Sequence, residues 1–463
     1  MTATSLMLDV AWAGLLIAIG QFIRTKVKFL QKCFVPSALI AGFLGLILGK
    51  QVLNVIPFSD SIGSYSGVLI MLVFACIGVS GFSINKKDLK NEVGRVYGMG
   101  AMMLGGVCWQ VVLGCTFSIL VISSLFPQIN KGFGFLLMAG FAGGHGTAAA
   151  IGKTFAEQGF ADATDLGMTS ATVGILAGIL VGLALIKWAT KKGYTQYLED
   201  SSKIPADMLT GLVPEEQRQS MGKQTIAPVT LDSLAWHLGW ALIATGAGYY
   251  LCQGIKKVSS LSIPDFLCTF LCGFLMFVIF SRGKKRGVYR YIDTKVFSRI
   301  SGTATDLLVF FGVASIKISV VATYAVPLIM LFVFGIITNV LCWFFFARGY
   351  FKESWFERGM LHLGMSFGVS ATGMILLRIV DPDGKSRALN DFALQNPFMN
   401  PIQSLIYGFG PIMLMTGKHW QIIGICLGIL VVMNVLARIF GWWHYKVPLN
   451  ERGAMPEDAF EQA

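Results

Sequence analysis

AGFAGGHGTAAAIGK, residues 139–153, clusters Gly143, Gly144 and Gly146 around His145 and Thr147 inside an otherwise apolar stretch, 132–152. Glycine removes the side chain and permits unusual backbone angles. Amides and carbonyls at such a break become available to something other than a helix. The run Thr147-Ala148-Ala149-Ala150 then suits the start of a half-helix. Its N-terminus would offer free amides and a positive dipole end, matched to an anion. A continuous helix packed through small residues is the competing reading, and the rest of the chain decides between them.

The chain has 463 residues, 54% hydrophobic and 13% charged, with a mean hydropathy of +0.66. Soluble domains carry roughly a quarter charged residues. Apolar runs long enough to span a bilayer recur throughout: 6–23, 33–49, 65–82, 97–124, 165–187, 231–251, 263–281, 300–319, 323–347, 399–416 and 419–440. No basic segment precedes the first run, so it reads as a span and not a cleaved signal. Lysine and arginine crowd alternate loops: Arg24 to Lys32, Lys86 to Arg95, Lys187 to Lys192, Arg282 to Arg299, and Arg348, Lys352 and Arg358. These loops are expected in the cytoplasm, with the N-terminus outside and the C-terminus inside. Lipid head-group binding is a second use of such clusters. Span 97–124 then runs outward and 165–187 inward. The stretch 132–152 must therefore enter and leave on the outer side. A plain span there would invert every later loop against the charge bias.

The same reasoning makes 358–378 a re-entrant hairpin on the inner side. It contains GMSFGVSATGMILLR, where Gly364, Gly368 and Gly373 flank Ser366, Ser370, Ala371 and Thr372. Each half holds five spans and one hairpin, so the second copy is inverted, a recurrent plan of secondary transporters. Direct pairings support it: FVPSALIAGFLG with SIPDFLCTFLCG, ACIGV with ASIKI, Gln110 with Asn339, and GHGTA with GVSAT. All share an offset of roughly 225–240 residues. The expected fold is an all-α polytopic membrane protein of about 11 spans, with an extra C-terminal helix. Its parts are an N-terminal repeat (1–192), a cytoplasmic linker (193–230), a C-terminal repeat (231–416) and a last span with tail (417–463). The stretch 381–397 reads as a polar loop rich in turn signals.

Hydroxyls and freed carbonyls are the hard oxygen ligands an alkali cation takes. Thr147, Ser370, Thr372 and hairpin carbonyls are thus sodium-ligand candidates, with helix packing as the alternative for each. Gln110 and Asn339 lie mid-membrane in related spans and each needs a partner. Helix–helix bonding would satisfy them, but their matching positions favour the transport path. Asp306 could coordinate a cation or simply sit at a helix start, and His145 could carry a proton or a structural hydrogen bond. The cysteines lie mostly in apolar runs without metal-like spacing and are expected as free thiols. No cofactor motif is present. The net charge of +12 falls in alternate loops, which points to topology and not to nucleic acid.

GGHGT followed by small residues strongly resembles the hairpin of the bacterial glutamate:sodium symporter family. FVPSALIAG, LVFACIGVS, DLLVFFGVASIKI and Gln110 add softer matches over residues 6–416. The resemblance implies sodium-coupled uptake of L-glutamate in a bacterial inner membrane, two inverted halves, a homodimer and elevator-like exchange. It places substrate and sodium at Gly143 to Thr147 and at Gly368 to Gly373. The chain departs from the family in its last span, in the length of 381–397, and in GVSATG, where a proline is expected. Another small carboxylate or amino acid, or proton coupling, is the alternative reading. A channel fits two opposed hairpins in one chain less well. An enzyme lacks a nucleophile or metal signature around His145.

Overall fold

A computed structural model of the chain describes residues 2–32, 34–81, 86–198, 210–218, 220–259, 264–281, 287–368, 370–382, 384–448 and 453. The basic residues Arg282, Lys284, Lys285 and Arg286, Cys33 and part of the 193–230 linker lie outside these, as do the side chains of 86–92 and 371. Besides the short helices Lys28–Lys32 and Ile318–Thr323, the α-helices are α1 (Ala3–Lys26), α2 (Ser37–Leu48), α3 (Ile62–Ser80), α4 (Lys86–Phe117), α5 (Phe135–Gly140), α6 (Gly144–Glu157), α7 (Ala163–Lys191) and α8 (Ser233–Ser259). They continue with α9 (Asp265–Ser281), α10 (Thr294–Ala314), α11 (Ala325–Tyr350), α12 (Trp355–Phe367), α13 (Ser370–Val380), α14 (Ala388–Met415) and α15 (His419–Ile439). A π-helical turn, Ser118–Ile122, and the short helix Ser123–Leu125 prolong α4. No strand occurs among the described residues.

Seven of these helices are long and apolar enough to cross a membrane: α1, α3, α4 with its extension, α7, α10, α11 and α15. The shorter apolar helices α2 and α9 accompany them. On α11, Ile329, Val333, Ile337 and Leu341 recur every four residues and are each more than half exposed. That spacing is one helical stripe, and an apolar stripe turned outward is the surface a helix offers to lipid.

The helices pack in two groups. In one, α3 lies on α9 and α10, α2 on α1 and α10, and α8 on α9. Glycine sets the closest approach. A Cβ on Gly78 would lie 2.5 Å from the Phe270 carbonyl oxygen, and one on Gly273 would lie 2.8 Å from that of Ala75. Backbones meet there because no side chain intervenes, the usual device where lipid supplies no hydrophobic drive between helices. In the other group, α4 lies on α11, α14 and α15, α6 on α7, and α12 on α13, α11 and α7. The hairpin helices α5–α6 and α12–α13 belong to this second group.

Every expected span overlaps a helix, and those at 33–49, 231–251, 263–281 and 399–416 are not among the seven long apolar ones. One boundary differs substantially. The stretch 381–397, expected as a loop, turns helical at Ala388, and α14 runs on to Met415 through Pro397, Pro401 and Pro411. This segment carries one member of a buried ion pair. Arg358 and Asp391 are both buried, and the guanidinium Nε donates to Asp391 Oδ2 at 3.0 Å. Arg358 also donates to the carbonyls of Glu353 and Ser386, and Arg95 Nε lies 3.9 Å from Asp391 Oδ1. Arg358 is therefore not the loop charge its sequence position suggests. It anchors the start of the second hairpin to α14.

Candidate functional site

Each hairpin breaks where glycine leaves no room for a side chain. Between α5 and α6, a Cβ on Gly143 would fall 2.5 Å from the Ala139 carbonyl oxygen and 2.6 Å from Thr147 Cβ. Gly144, with φ of +66°, begins α6 in the left-handed region. No side chain caps that helix, so its first amides are left to other partners. Between α12 and α13 the chain passes through Gly368, where a Cβ would come 2.9 Å from Thr372 Oγ1. Val369 and the Ala371 side chain are outside the described residues.

The two breaks share one cavity of about 330 Å³, within the roughly 300–1,000 Å³ usual for small-molecule sites. The first hairpin contributes Gly143, Gly146 and Thr147 to its wall, and the second contributes Ser366, Gly368 and Ser370. Apolar residues of α3, among them Ile70 and Phe74, close another side. A further wall belongs to α14, which presents Gln395, Asn396, Asn400, Gln403, Ser404 and Tyr407. Sequence pattern alone gives these residues no mark of function. The available signal was the spacing, since positions 396, 400, 403 and 407 share one helical face. His362 and Thr305 also line the cavity. Among the described residues, none that lines the cavity is Asp, Glu, Lys or Arg.

Of the residues expected at the site, Gly143, Gly146, Thr147, Gly368 and Ser370 therefore come together around one space. Others stand behind it. His145 is fully buried, with Nε2 3.0 Å from Thr172 Oγ1. Thr372 is buried beside Gly368, and Gly373 packs inside its hairpin, where a Cβ would lie 2.5 Å from the Leu361 carbonyl oxygen. Gln110 Nε2 donates to the Ser366 carbonyl at 2.6 Å, and Asn339 Nδ2 donates to the same oxygen at 3.0 Å. Asp306 is exposed on α10, next to Thr305 of the cavity wall. Among the described residues no cluster of His, Cys, Asp and Glu suited to a metal ion occurs. A cation here would depend on hydroxyl, carboxamide and carbonyl oxygens.

A comparison with protein families matches residues 4–378 to the model described as sodium/glutamate symporter. The sodium/glutamate symporter of Escherichia coli (strain K12) is 26% identical over 339 residues, covering 69% of this chain and 75% of that protein. The sodium/glutamate symporter of Haemophilus influenzae is 28% identical over 180 residues, covering 37% of this chain and 41% of that protein. The family match takes in both hairpins and ends within α13, so the carboxamide wall of α14 lies beyond it.

Proposed function

The chain belongs to the sodium/glutamate symporter family, and from that premise we propose that it takes up L-glutamate across a membrane, driven by inward sodium flow. The observation that carries this reading is the cavity between two hairpin breaks, polar yet without a charged side chain among the described residues. A carboxylate entering it finds helix amides, hydroxyls and carboxamides, but no guanidinium or ammonium. Burying an unpaired charge is costly. A sodium ion bound alongside lowers that cost, and the carboxylate does the same for sodium. This reciprocal gain is the free-energy coupling that symport requires.

We assign the ion to the oxygens of Thr147, Ser370 and unengaged hairpin carbonyls, with Thr372 behind them, and the substrate to Gly143–Thr147 and Gly368–Gly373. Asp306 is assigned to an aqueous opening, because an exposed carboxylate on a spanning helix avoids lipid. Three spans precede α4 and three precede α11, and a hairpin and a long helix follow each. This order supports two inverted repeats (1–192 and 231–416) joined by the 193–230 linker, with α15 added. The two packing groups support an elevator in which the hairpin group moves against the other. Loop charge supports an outer N-terminus and a cytoplasmic C-terminus. A homodimer in the bacterial inner membrane completes the reading.

The test is uptake of radiolabelled L-glutamate by purified protein in liposomes. A tenfold inward sodium gradient supplies about 1.4 kcal/mol per ion, enough for about tenfold accumulation per sodium. Accumulation should vanish when choline replaces sodium. Uptake driven by a proton gradient instead would overturn the sodium assignment, and uptake of another acid alone would overturn glutamate. The α14 wall makes a second prediction. Asn400→Ala removes a cavity carboxamide and should raise the half-saturating glutamate concentration by about tenfold, the effect of one lost hydrogen bond to a charged group. An unchanged value would remove α14 from the site.

A further inference from the structure

Gln110 and Asn339 are both buried, at 2% and 0% exposure, and neither side chain lines the cavity. The bonds of Gln110 instead run between the hairpins, and those of Asn339 run from the second hairpin to α4. Gln110 Nε2 donates to the Ser366 carbonyl at 2.6 Å, while its Oε1 accepts from the Ala142 amide at 3.3 Å. Asn339 Nδ2 donates to the same Ser366 carbonyl at 3.0 Å, and its Oδ1 accepts from Trp109 Nε1 at 3.0 Å. Ser366 and Ala142 both line the cavity, from opposite hairpins.

The two backbone groups have a common origin. Ser366 is in the last turn of α12, where a carbonyl has no partner within the helix. Ala142 sits in the break between α5 and α6. Each break thus frees a polar group at depth, where water is scarce and an unmade bond is expensive. One side chain satisfies both. A carbonyl oxygen has two lone pairs, and at Ser366 two carboxamides occupy them, so this oxygen is not among those left for an ion.

We propose that Gln110, supported by Asn339, is a positioning residue that ties the two hairpin tips together, so that they hold the cavity as one unit. The proposal rests on the transport reading for its uptake arm only. Asn339 reaches the second hairpin alone, which gives the two residues different signatures.

The experiment is hydrogen–deuterium exchange on the purified full-length protein in lipid nanodiscs, beside uptake in liposomes. Gln110→Leu should speed amide exchange about tenfold in both 139–147 and 364–373, whereas Asn339→Leu should do so in 364–373 only. In uptake, Gln110→Leu should raise the half-saturating glutamate and sodium concentrations about tenfold, with the maximal rate per inserted molecule nearly kept. A purely structural role would instead lower the amount of protein at unchanged half-saturation, and that result overturns the proposal. So does faster exchange confined to 364–373 in Gln110→Leu. Should that variant not reach the membrane, Gln110→Asn is one methylene shorter, cannot span both partners and carries the same expectations. If the wild-type protein shows no sodium-driven glutamate uptake, the transport reading falls and the exchange measurements still decide the brace.

Discussion

Sodium-driven glutamate uptake is expected to vanish in Gly143→Leu, while the chain still inserts and folds. Gly143 has φ of −83° and ψ of −30°, angles any residue adopts, so the obstacle is space and not backbone strain. The first added carbon already falls 2.5 Å from the Ala139 carbonyl oxygen and 2.6 Å from Thr147 Cβ. The remaining three must enter the cavity or displace the start of α6. Either outcome misplaces the amides and the Thr147 hydroxyl by about 1 Å, and a displacement of that size at a reacting centre costs about 100-fold. The hairpin is a small part of a large packed surface, so insertion should survive. Gly144→Ala meets a different obstacle, since its φ of +66° costs a residue with a Cβ about 1–2 kcal/mol. It should weaken uptake without abolishing it. Liposome uptake per inserted molecule measures both. Normal transport by Gly143→Leu would mean that the tip is not the site.

The two breaks were legible because they combine two independent signals. Glycine density marks where a helix has no side chains to spare, and the alternation of loop charge asks for a stretch that turns back instead of crossing. The α14 wall was illegible for a specific reason. Hydropathy scores each residue alone, so Arg358 reads as a loop charge and Asp391 as part of a polar loop. Paired at 3.0 Å, both are buried, and the segment that holds Asp391 is helix. Gln395 and Asn396 thus fall in an expected loop, whereas Asn400 and Gln403 lie within the expected span 399–416, where a carboxamide reads as one more tolerated polar residue. The proline at 397 deepened the error, because it removes a helical hydrogen bond and reads as a turn. Gln110 and Asn339 show the converse. Their polarity flagged them, but their shared partner is a backbone carbonyl, which every residue has and no sequence pattern announces.

The same ion pair carries the largest expected effect on stability. Asp391→Ala leaves the Arg358 guanidinium buried with two carbonyl partners and no carboxylate among the bonds described above except through rearrangement. Breaking a buried pair by removing one partner destabilises by about 3–5 kcal/mol, because the remaining charge keeps its desolvation cost and loses its attraction. Arg358→Met should act in the same direction, because the buried Asp391 carboxylate keeps its desolvation cost and loses the guanidinium at 3.0 Å, with Arg95 3.9 Å away. The double variant Arg358→Met with Asp391→Leu strands neither group, and two apolar side chains of similar bulk can replace such a pair at little cost. It should recover most of the loss, so that the two effects are strongly non-additive. Thermal stability in detergent, read as the fraction of monodisperse protein after heating, measures all three. If the double variant is as unstable as the sum of the singles, the contribution of Arg358 lies in its bonds to the Glu353 and Ser386 carbonyls, and Asp391 is secondary. If it recovers stability but loses uptake, the pair sets the angle at which α14 presents Gln395 and Asn400 to the cavity, and its role is in transport geometry more than in folding.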